Sequence, residues 1–381
     1  MQKTKTSIHS RVKPLANAIT AYVADRTPSE NNRAFKMSSN ENPLEPSKSV
    51  ILSAREGLKG SEQCPDIAQM STEAQVAKVR KLKQENLVSG NSSDEFFHSV
   101  CSIFLSAGDE SIMCEHSLLQ YKSQVLASGA IPVAIKETNG KIKIQDIIRA
   151  LNNRTKLVFI TVPANPTGTF LTLRELHLLR RLLPIRTALL IDSAYNEFVA
   201  DDRYYQRNIT ITRTFSKVYG PAAIRADRTP AEREHIAAAN KARSPFNISS
   251  IAQTAEAMAI SDSACCAASA KFNLFWITKI TWALKRKNML LNYSSANFIV
   301  IKVPKKVPMP LIAQYFEATG AMLKRTEVYR LFNCIRTSLG SANVNNLLID
   351  SINNIDNMKV FLKPGRKQPT LSMPATNIAR P

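Results

Sequence analysis

The chain has 381 residues, 44% of them hydrophobic and 21% charged, which is enough apolar material for a large core and excludes a disordered protein. No stretch approaches the roughly 18 uninterrupted apolar residues of a membrane-spanning helix, so we predict a soluble protein. The first residues are basic and precede an apolar segment, but polar residues interrupt that segment. We interpret residues 1–45 as an N-terminal arm and not as a signal peptide.

The charge balance is basic, with 51 Lys and Arg residues against 30 Asp and Glu residues and a formal net charge of +21. Such a charge attracts phosphorylated substrates or polyanions. The basic residues are spread along the chain without the interleaved aromatic residues of a single-strand binding groove, so nucleic acid is not a predicted partner. The six cysteines show neither a CxxC pair nor metal-site spacing, so we predict no metal and a reducing, cytoplasmic location.

Residues 86–216 alternate short apolar runs with helical patterns, which is typical of an α/β fold with a mostly parallel sheet covered by helices. The predicted strands are residues 86–88, 111–114, 132–135, 156–162, 188–192 and 209–213. The predicted helices are residues 94–106, 120–128, 173–183 and 248–260. We assign these elements to a large domain of residues 46–285.

The pattern changes near Tyr293 to a two-layer α+β type, which predicts a small domain over residues 286–362. Its predicted strands are residues 297–303 and 334–338, and its predicted helices are residues 309–319 and 343–361. The last residues, 363–381, contain four prolines and several basic residues, so we expect an unstructured tail.

Two segments of the large domain combine a strand end with residues that could bind an anion. Lys217 directly follows a predicted strand, and Arg225 lies eight residues beyond it. Alone, this pattern is more typical of a solvated lysine in a loop. The segment Gly90-Asn-Ser-Ser-Asp-Glu95 follows another strand and opens a helix, where backbone N–H groups and the helix dipole could cradle a phosphate. An ordinary helix N-cap is the alternative interpretation.

Two further segments end buried strands at the edge where open α/β sheets place their ligands. Pro163-Ala-Asn-Pro-Thr-Gly168 is rich in turn residues and directs Asn165 toward that edge. Leu189-Leu-Ile-Asp-Ser-Ala-Tyr195 ends with Asp192, and a buried acid is costly unless it is paired with a cation. Asp192 is therefore predicted to bind a cationic group.

Together these segments resemble the class I and II aminotransferases of fold type I, most closely the histidinol-phosphate aminotransferases. The resemblance covers nearly the whole chain and implies a large domain that binds pyridoxal phosphate and a small α+β domain. Its main pieces are Ser38-Ser-Asn-Glu-Asn-Pro43, Asn165-Pro-Thr-Gly168, Asp192 with Ala194-Tyr195, Thr214-Phe-Ser-Lys217 with Tyr219-Gly220 and Arg225, Pro245-Phe-Asn247, Ala296-Asn-Phe298 and Ile335-Arg336.

The resemblance implies a role for each cofactor-binding residue type. Lys217 would hold pyridoxal phosphate as an imine and then move the substrate's α-proton. Asp192 would keep the pyridine nitrogen protonated, and Asn165 and Tyr195 would donate hydrogen bonds to the phenolate oxygen. The remaining residues would bind the cofactor phosphate through backbone N–H groups and charge-assisted hydrogen bonds: Ser92, Ser93, Asp94, Ser216 and Arg225.

The resemblance also implies the substrate-binding residues and the assembly. Arg336 would bind the acidic group of the substrate, with Asn42 and a second cation beside it. Either Lys324 or Arg325 could supply that cation, and we choose Arg325 for the predicted site. The family also implies a homodimer with active sites at the subunit interface.

The chain departs from the family pattern at several positions. Cys64 stands where a tyrosine usually reaches the partner subunit's cofactor phosphate, and Leu118 stands where an aromatic residue usually stacks on the pyridine ring. Ser92 replaces a glycine of the phosphate loop, and the strand after Arg225 reads Ala226-Asp-Arg-Thr-Pro230 without its usual glycine. These replacements risk strain or a looser cofactor fit.

Three functional hypotheses follow. The first is amino-group transfer from glutamate to imidazole acetol phosphate, which gives histidinol phosphate and 2-oxoglutarate in histidine biosynthesis. The second is a related pyridoxal-phosphate reaction on another phosphorylated or an aromatic amino acid, either transamination or decarboxylation. The third is a catalytically impaired homologue that binds polyanions through its basic surface.

Overall fold

The computed structural model describes residues 14–21, 34–67, 69–199, 209–305 and 307–358. The described strands are β1 (Phe35–Met37), β2 (Leu87–Gly90), β3 (Glu110–Cys114), β4 (Ile131–Ile135), β5 (Thr155–Thr161), β6 (Ala188–Asp192), β7 (Ile209–Thr214), β8 (Asp227–Pro230), β9 (Phe298–Lys302), β10 (Ala321–Arg325) and β11 (Cys334–Ser338). The described helices are α1 (Lys48–Glu56), α2 (Met70–Arg80), α3 (Ser93–Phe104), α4 (Leu119–Ala127), α5 (Ile144–Ala150), α6 (Leu173–Leu182), α7 (Arg233–Ala242), α8 (Ser250–Ser261), α9 (Ser263–Arg286), α10 (Met309–Ala318) and α11 (Ala342–Asn353). The predicted tail, residues 363–381, and most of the N-terminal arm lie outside the described residues.

The larger sheet has the strand order β2-β8-β7-β6-β5-β3-β4. Its strands β3 to β7 pair in parallel, whereas β8 runs antiparallel to both of its neighbours. The central strands are apolar along nearly their whole length because helices cover both faces of the sheet, and every residue of β6 is buried. The predicted α/β fold with a mostly parallel sheet is confirmed.

The smaller sheet has the order β1-β10-β11-β9 and lies over a separate apolar cluster that includes Ile299, Ile301 and Ile335. Its first strand comes from the segment before α1, since Phe35 of β1 pairs in parallel with Ala321 of β10. The chain before the large sheet is therefore attached to the smaller one. The domain boundaries at residues 45 and 285 stay a prediction.

The apolar pattern does not reveal three strands, which are short and carry polar residues: β1, β8 and β10. Of these, only β8 was expected, from the family resemblance. In β8, Asp227 and Arg228 are fully buried, so the strand has no apolar pattern to reveal it. The last helix of the small domain is shorter than predicted. It ends at Asn353, and the Asn353-Asn354 pair is followed by a 3-10 turn at Ile355–Asn357. Within the described residues, no helix is both long and apolar enough to cross a membrane.

Candidate active site

A cavity of about 430 Å³ lies between the carboxyl edge of the larger sheet and the smaller sheet. Its lining brings together ten residues that the sequence analysis placed in the site: Ser92, Ser93, Asp94, Asn165, Asp192, Tyr195, Ser216, Lys217, Arg225 and Arg336. Side chains from both sheets face this cavity, so its shape depends on how the two sheets pack.

The amine of Lys217 lies inside the cavity at the end of β7. Its Nζ donates a hydrogen bond of 3.2 Å to the Ser39 carbonyl and lies 5.9 Å from the centre of the Tyr195 ring. Burial lowers the pKa of Lys217 to about 8, and the charges of Arg336 and Arg225 act in the same direction. About a tenth of this amine is therefore neutral, and thus nucleophilic, at pH 7, far more than for an ordinary lysine.

Asp192 lies at the carboxyl end of β6 and is 2% exposed. Tyr121 Oη donates a hydrogen bond of 2.5 Å to Asp192 Oδ2, and Oδ1 accepts bonds from the Ala194 N–H and the Thr212 hydroxyl. Burial raises the pKa of Asp192, and these three donors oppose the rise. All three donors are uncharged, so the carboxyl group is suited to a cationic group bound in the cavity.

The Tyr195 hydroxyl accepts hydrogen bonds from Asn40 Nδ2 at 2.9 Å and Asn165 Nδ2 at 3.2 Å. Its ring packs edge-on against Phe298 at 5.0 Å between centroids. Burial raises the pKa of Tyr195 to about 12, so the hydroxyl keeps its proton and can donate it in a hydrogen bond. These contacts fix the hydroxyl in the cavity that Lys217 also lines.

A candidate phosphate cradle is formed by Ser92, Ser93, Asp94, Ser216 and Arg225. Arg225 Nη1 donates a hydrogen bond of 2.9 Å to Ser216 Oγ, and Nη2 contacts Ser92 Oγ. Ser93 begins α3, so the helix N-terminus adds backbone donors and a positive dipole to the guanidinium. The cradle is therefore suited to a phosphate.

Ser92 has a backbone conformation that residues other than glycine rarely adopt, with φ 78° and ψ 158°. This is the position where the aminotransferase pattern has glycine. The serine hydroxyl reaches Arg225, so the strained residue adds a contact that glycine could not make. Strain of this kind is concentrated at binding sites.

Arg336, on β11, crosses the cavity from the smaller sheet and is 3% exposed. Its Nη1 donates a hydrogen bond of 2.6 Å to Asn165 Oδ1, and its Nη2 donates one of 2.5 Å to the Ser38 carbonyl. Its Nε is buried and has no hydrogen-bond partner among the described residues. The guanidinium is therefore fixed in place by the bonds of its two Nη groups.

The structure places the two candidates for the second substrate cation on opposite faces of β10. Lys324 pairs directly with Arg336 across β10 and β11, so both side chains face the cavity, and Lys324 lines it. Arg325 pairs with Ile335 on the opposite face, where its guanidinium binds Glu327 at 2.7 Å. Because adjacent residues of a strand point to opposite faces, Lys324 faces the cavity and Arg325 does not.

Asn42 is also outside the cavity lining. Its Nδ2 donates hydrogen bonds to the Val218 carbonyl at 2.7 Å and to Ser269 Oγ at 2.9 Å, so it anchors the loop that follows Lys217. Asn40, two residues earlier in the same motif, is the asparagine that reaches Tyr195. The prediction of Asn42 as a substrate-binding residue does not fit this geometry.

Leu118 and Cys64, two of the departures from the family pattern, differ in their position relative to the cavity. Leu118 lines the cavity, so an apolar side chain occupies the place of the stacking aromatic residue. Cys64 is exposed and is not among the residues that line the cavity.

The sequence analysis missed Tyr121, Asn40 and Asp227. Tyr121 is separated from Asp192 by 71 residues, and nothing in the sequence connects them. Asn40 belongs to the motif Ser38–Pro43, but the sequence does not reveal its contact with Tyr195. Asp227 was noted only as the loss of a glycine, although a buried acid beside a predicted anion site is a signal that could have been used.

Comparisons with known proteins agree with this arrangement. Residues 32–352 match the family model described as aminotransferase class I and II. The histidinol-phosphate aminotransferase of Pelagibacter ubique is 33% identical over 335 residues, which cover 85% of this chain and 92% of the relative. That of Dinoroseobacter shibae is 31% identical over 324 residues, covering 84% and 90%. The chain belongs to the class I and II aminotransferase family.

The fold is that of this family as well. The crystal structure of histidinol-phosphate aminotransferase from Sinorhizobium meliloti in complex with pyridoxal-5'-phosphate superimposes with a TM-score of 0.82 at 21% identity, over 93% of this chain and 99% of that one. An aspartate aminotransferase variant from Thermus thermophilus gives a TM-score of 0.75 at 16% identity, with 89% and 100% covered. The fold is therefore that of the fold type I aminotransferases.

The family's cofactor is pyridoxal phosphate, and the residues of the cavity fit it. The buried amine of Lys217, the Asp192 carboxyl with its uncharged donors and the Arg225 cradle line one cavity, and they would suit the aldehyde, the pyridine nitrogen and the phosphate in that order. When bound, this group withdraws electrons from the substrate's α-carbon. The chain is a pyridoxal-phosphate-dependent aminotransferase that acts on small molecules.

Proposed function

We propose that this aminotransferase moves an amino group from glutamate to imidazole acetol phosphate, giving 2-oxoglutarate and histidinol phosphate. The observation that carries the proposal is the pair formed by Arg336 and Lys324, which face the cavity from adjacent strands. Two cations opposite the Lys217 amine suit a substrate with a phosphate at its far end. The relatives from Pelagibacter and Dinoroseobacter carry the same activity in their names.

In this proposal each residue of the cavity has one task. Lys217 binds the cofactor and then accepts and passes on the proton that leaves the substrate's α-carbon. Asp192 holds a proton on the pyridine nitrogen, and Tyr121 keeps that carboxyl group ionised and oriented. Asn165 positions both the Tyr195 hydroxyl and Arg336, since it contacts each of them.

Arg336 can bind both substrates through different groups. The α-carboxylate of glutamate is planar, and the phosphate of histidinol phosphate has several acceptor oxygens. A guanidinium can hold either group in a fixed orientation. Arg336 lines the cavity, where its guanidinium can make this contact. Lys324 adds a second positive charge, which favours the doubly charged phosphate over a single carboxylate.

We also propose that the enzyme is a homodimer and acts in the cytoplasm. The support for a dimer is the family pattern, in which the segment around Cys64 reaches the partner subunit, and Cys64 is exposed in the described chain. A thiol at this position is a poorer donor than a phenol, so the cradle relies more on Arg225.

The experiment that tests the substrate compares histidinol phosphate with histidinol, its analogue without the phosphate, and with tyrosine. We expect histidinol phosphate to convert the bound cofactor with a kcat/KM about 100-fold or more above that of histidinol, because histidinol has no phosphate for Arg336 and Lys324 to bind. Comparable values for tyrosine and histidinol phosphate would favour an aromatic aminotransferase. Release of CO₂ from an amino acid would favour a decarboxylase, and no reaction with any substrate would favour an impaired homologue.

A further inference from the structure

A second buried acid lies behind the phosphate cradle. Asp227, on β8, pairs directly with Gly90 of β2 and Thr214 of β7, and its side chain is 0% exposed. Its Oδ1 accepts a hydrogen bond of 3.2 Å from the Phe215 N–H. Its Oδ2 is buried without a hydrogen-bond partner among the described residues. An unpartnered carboxyl oxygen in the interior is costly, and only one oxygen of this acid satisfies a backbone donor of the fold.

The residues around Asp227 are the residues of the cradle. Burial raises the pKa of Asp227 to about 7, although the Thr214 hydroxyl, the Arg225 charge and the hydroxyl and N–H of Ser93 act in the opposite direction. Ser93, Thr214 and Arg225 also line the cavity, so the groups that act on Asp227 also face a ligand bound there. The acid therefore competes with any phosphate in the cradle for the same polar groups.

Other charged groups near Asp227 come from three directions. Burial lowers the pKa of Lys217, in the loop after β7, and the charge of Asp227 partly opposes this lowering. Asp94, at the start of α3, interacts with both Lys217 and Arg225. On the opposite face of β8, Arg228 is bound by Glu256, so its charge is compensated there. Ionised Asp227 therefore adds negative charge to a site that already contains Asp94.

We propose that Asp227 is a positioning residue that sets the affinity of the cradle for the cofactor phosphate. In its neutral form it leaves Ser93 and Arg225 available to a phosphate dianion, and in its ionised form it competes for the same two groups. This inference rests on the proposed cofactor site. It follows that phosphate binding stabilises the protonated acid, so binding above neutral pH takes up one proton.

The test measures the dissociation constant of pyridoxamine phosphate between about pH 6 and pH 8.5 on the full chain freed of cofactor. This ligand has no aldehyde, so Lys217 does not react with it. Pyridoxamine, which lacks the phosphate, is measured in parallel. Asp227→Asn keeps the size of the side chain and cannot ionise. Glu256→Gln is the matched control, because Glu256 is also a fully buried carboxyl with a pKa raised to about 7 by burial, but it binds Arg228 on the other face of β8.

We expect the Kd of the unaltered chain for pyridoxamine phosphate to rise, relative to that of Asp227→Asn, by about tenfold per pH unit above pH 7. Glu256→Gln should retain this rise. Pyridoxamine should show no such difference between the chains, because it has no phosphate to compete with the acid. The comparison of the two ligands on the unaltered chain gives the same answer if Asp227→Asn fails to fold.

Two other outcomes are distinguishable. If pyridoxamine phosphate binds and the pH profiles of the unaltered chain and Asp227→Asn are parallel, Asp227 has no part in phosphate binding, while the proposed cofactor site stands. If pyridoxamine phosphate binds none of the chains at any pH, both the cofactor site and the role of Asp227 are wrong.

Discussion

Tyr121 Oη lies 2.5 Å from Asp192 Oδ2, although 71 residues separate the two in the sequence. The tyrosine ring also stacks on Phe159, with 4.7 Å between centroids and 11° between the ring planes. Stacking therefore fixes the tyrosine ring, and the hydroxyl donates a hydrogen bond to the carboxyl group that must stay ionised beside the cofactor.

Tyr121→Phe should keep the stacking and remove only the hydrogen bond. Because burial already raises the pKa of Asp192, the loss of a donor that lowers it raises it further. We expect kcat to fall about tenfold and the acidic limb of the pH–rate profile to move to higher pH. Tyr315→Phe is the matched control, since its buried hydroxyl binds the Ser351 carbonyl far from the cavity. An unchanged acidic limb in Tyr121→Phe would contradict this role.

Lys324 and Arg325 offer a test of strand register at the substrate site. Lys324→Met should raise the KM for histidinol phosphate by about 10- to 100-fold, because a buried phosphate loses one charge-assisted hydrogen bond. Arg325→Met should change KM by less than about twofold, since that side chain pairs with Glu327 on the other face of the sheet. Steady-state kinetics measure both KM values. A larger rise in KM for Arg325→Met than for Lys324→Met would restore the prediction of Arg325 from the sequence.

The lowered pKa of Lys217 predicts how cofactor capture depends on pH. Below its pKa of about 8 the amine is mostly protonated, so the rate of pyridoxal phosphate capture should rise about tenfold per pH unit and level off above that value. Stopped-flow absorbance measures this rate. Because Arg336 contributes to the lowering, Arg336→Met should move the midpoint to higher pH. A midpoint near the ordinary lysine value of 10.5 in the unaltered chain would contradict the geometry.

The ion pair of Arg228 and Glu256 predicts a stability effect outside the site. Arg228 Nε and Nη2 bind Glu256 at 2.6 and 2.8 Å, and both residues are almost fully buried. Arg228→Met should lower the free energy of unfolding by about 3–5 kcal/mol, because it leaves a buried carboxyl group without its cation.

That penalty should depend on pH. Without Arg228 the pKa of Glu256 rises further, so the folded chain holds a proton that the unfolded chain has lost, and stability falls as pH rises above the unfolded value. Urea denaturation at about pH 5 and pH 8 should show the larger loss at pH 8. Adding Glu256→Leu to Arg228→Met should recover much of the loss, and a double variant less stable than the single one would refute this explanation.

The sequence was most informative where a residue's role depends on local pattern. The apolar runs predicted the parallel strands β3 to β7, and strand ends followed by Asp192 and Lys217 predicted the edge at which the cavity lies. Register and long-range packing could not be predicted in this way. The choices between Asn40 and Asn42 and between Lys324 and Arg325 depend on which face a residue takes, and a shift of one residue reverses the answer.

Buried charged residues were the other feature that could not be predicted from the local sequence. Asp227 and Arg228 give β8 the composition of a loop, and only the partners that surround them, Ser93, Arg225 and Glu256, make a strand of charged residues possible. Such partners come from distant parts of the chain, so their meeting follows from the fold and not from the local sequence.

An absorbance spectrum of the protein with pyridoxal phosphate, taken before and after glutamate is added and repeated with Lys217→Ala, tests whether the cavity is an aminotransferase site. We predict a band near the visible edge for the lysine-bound cofactor, a shift of that band with glutamate, and no such band in Lys217→Ala. If neither protein shows the band, Lys217 does not hold the cofactor, and the replacements at Cys64, Ser92 and Leu118 have abolished the site.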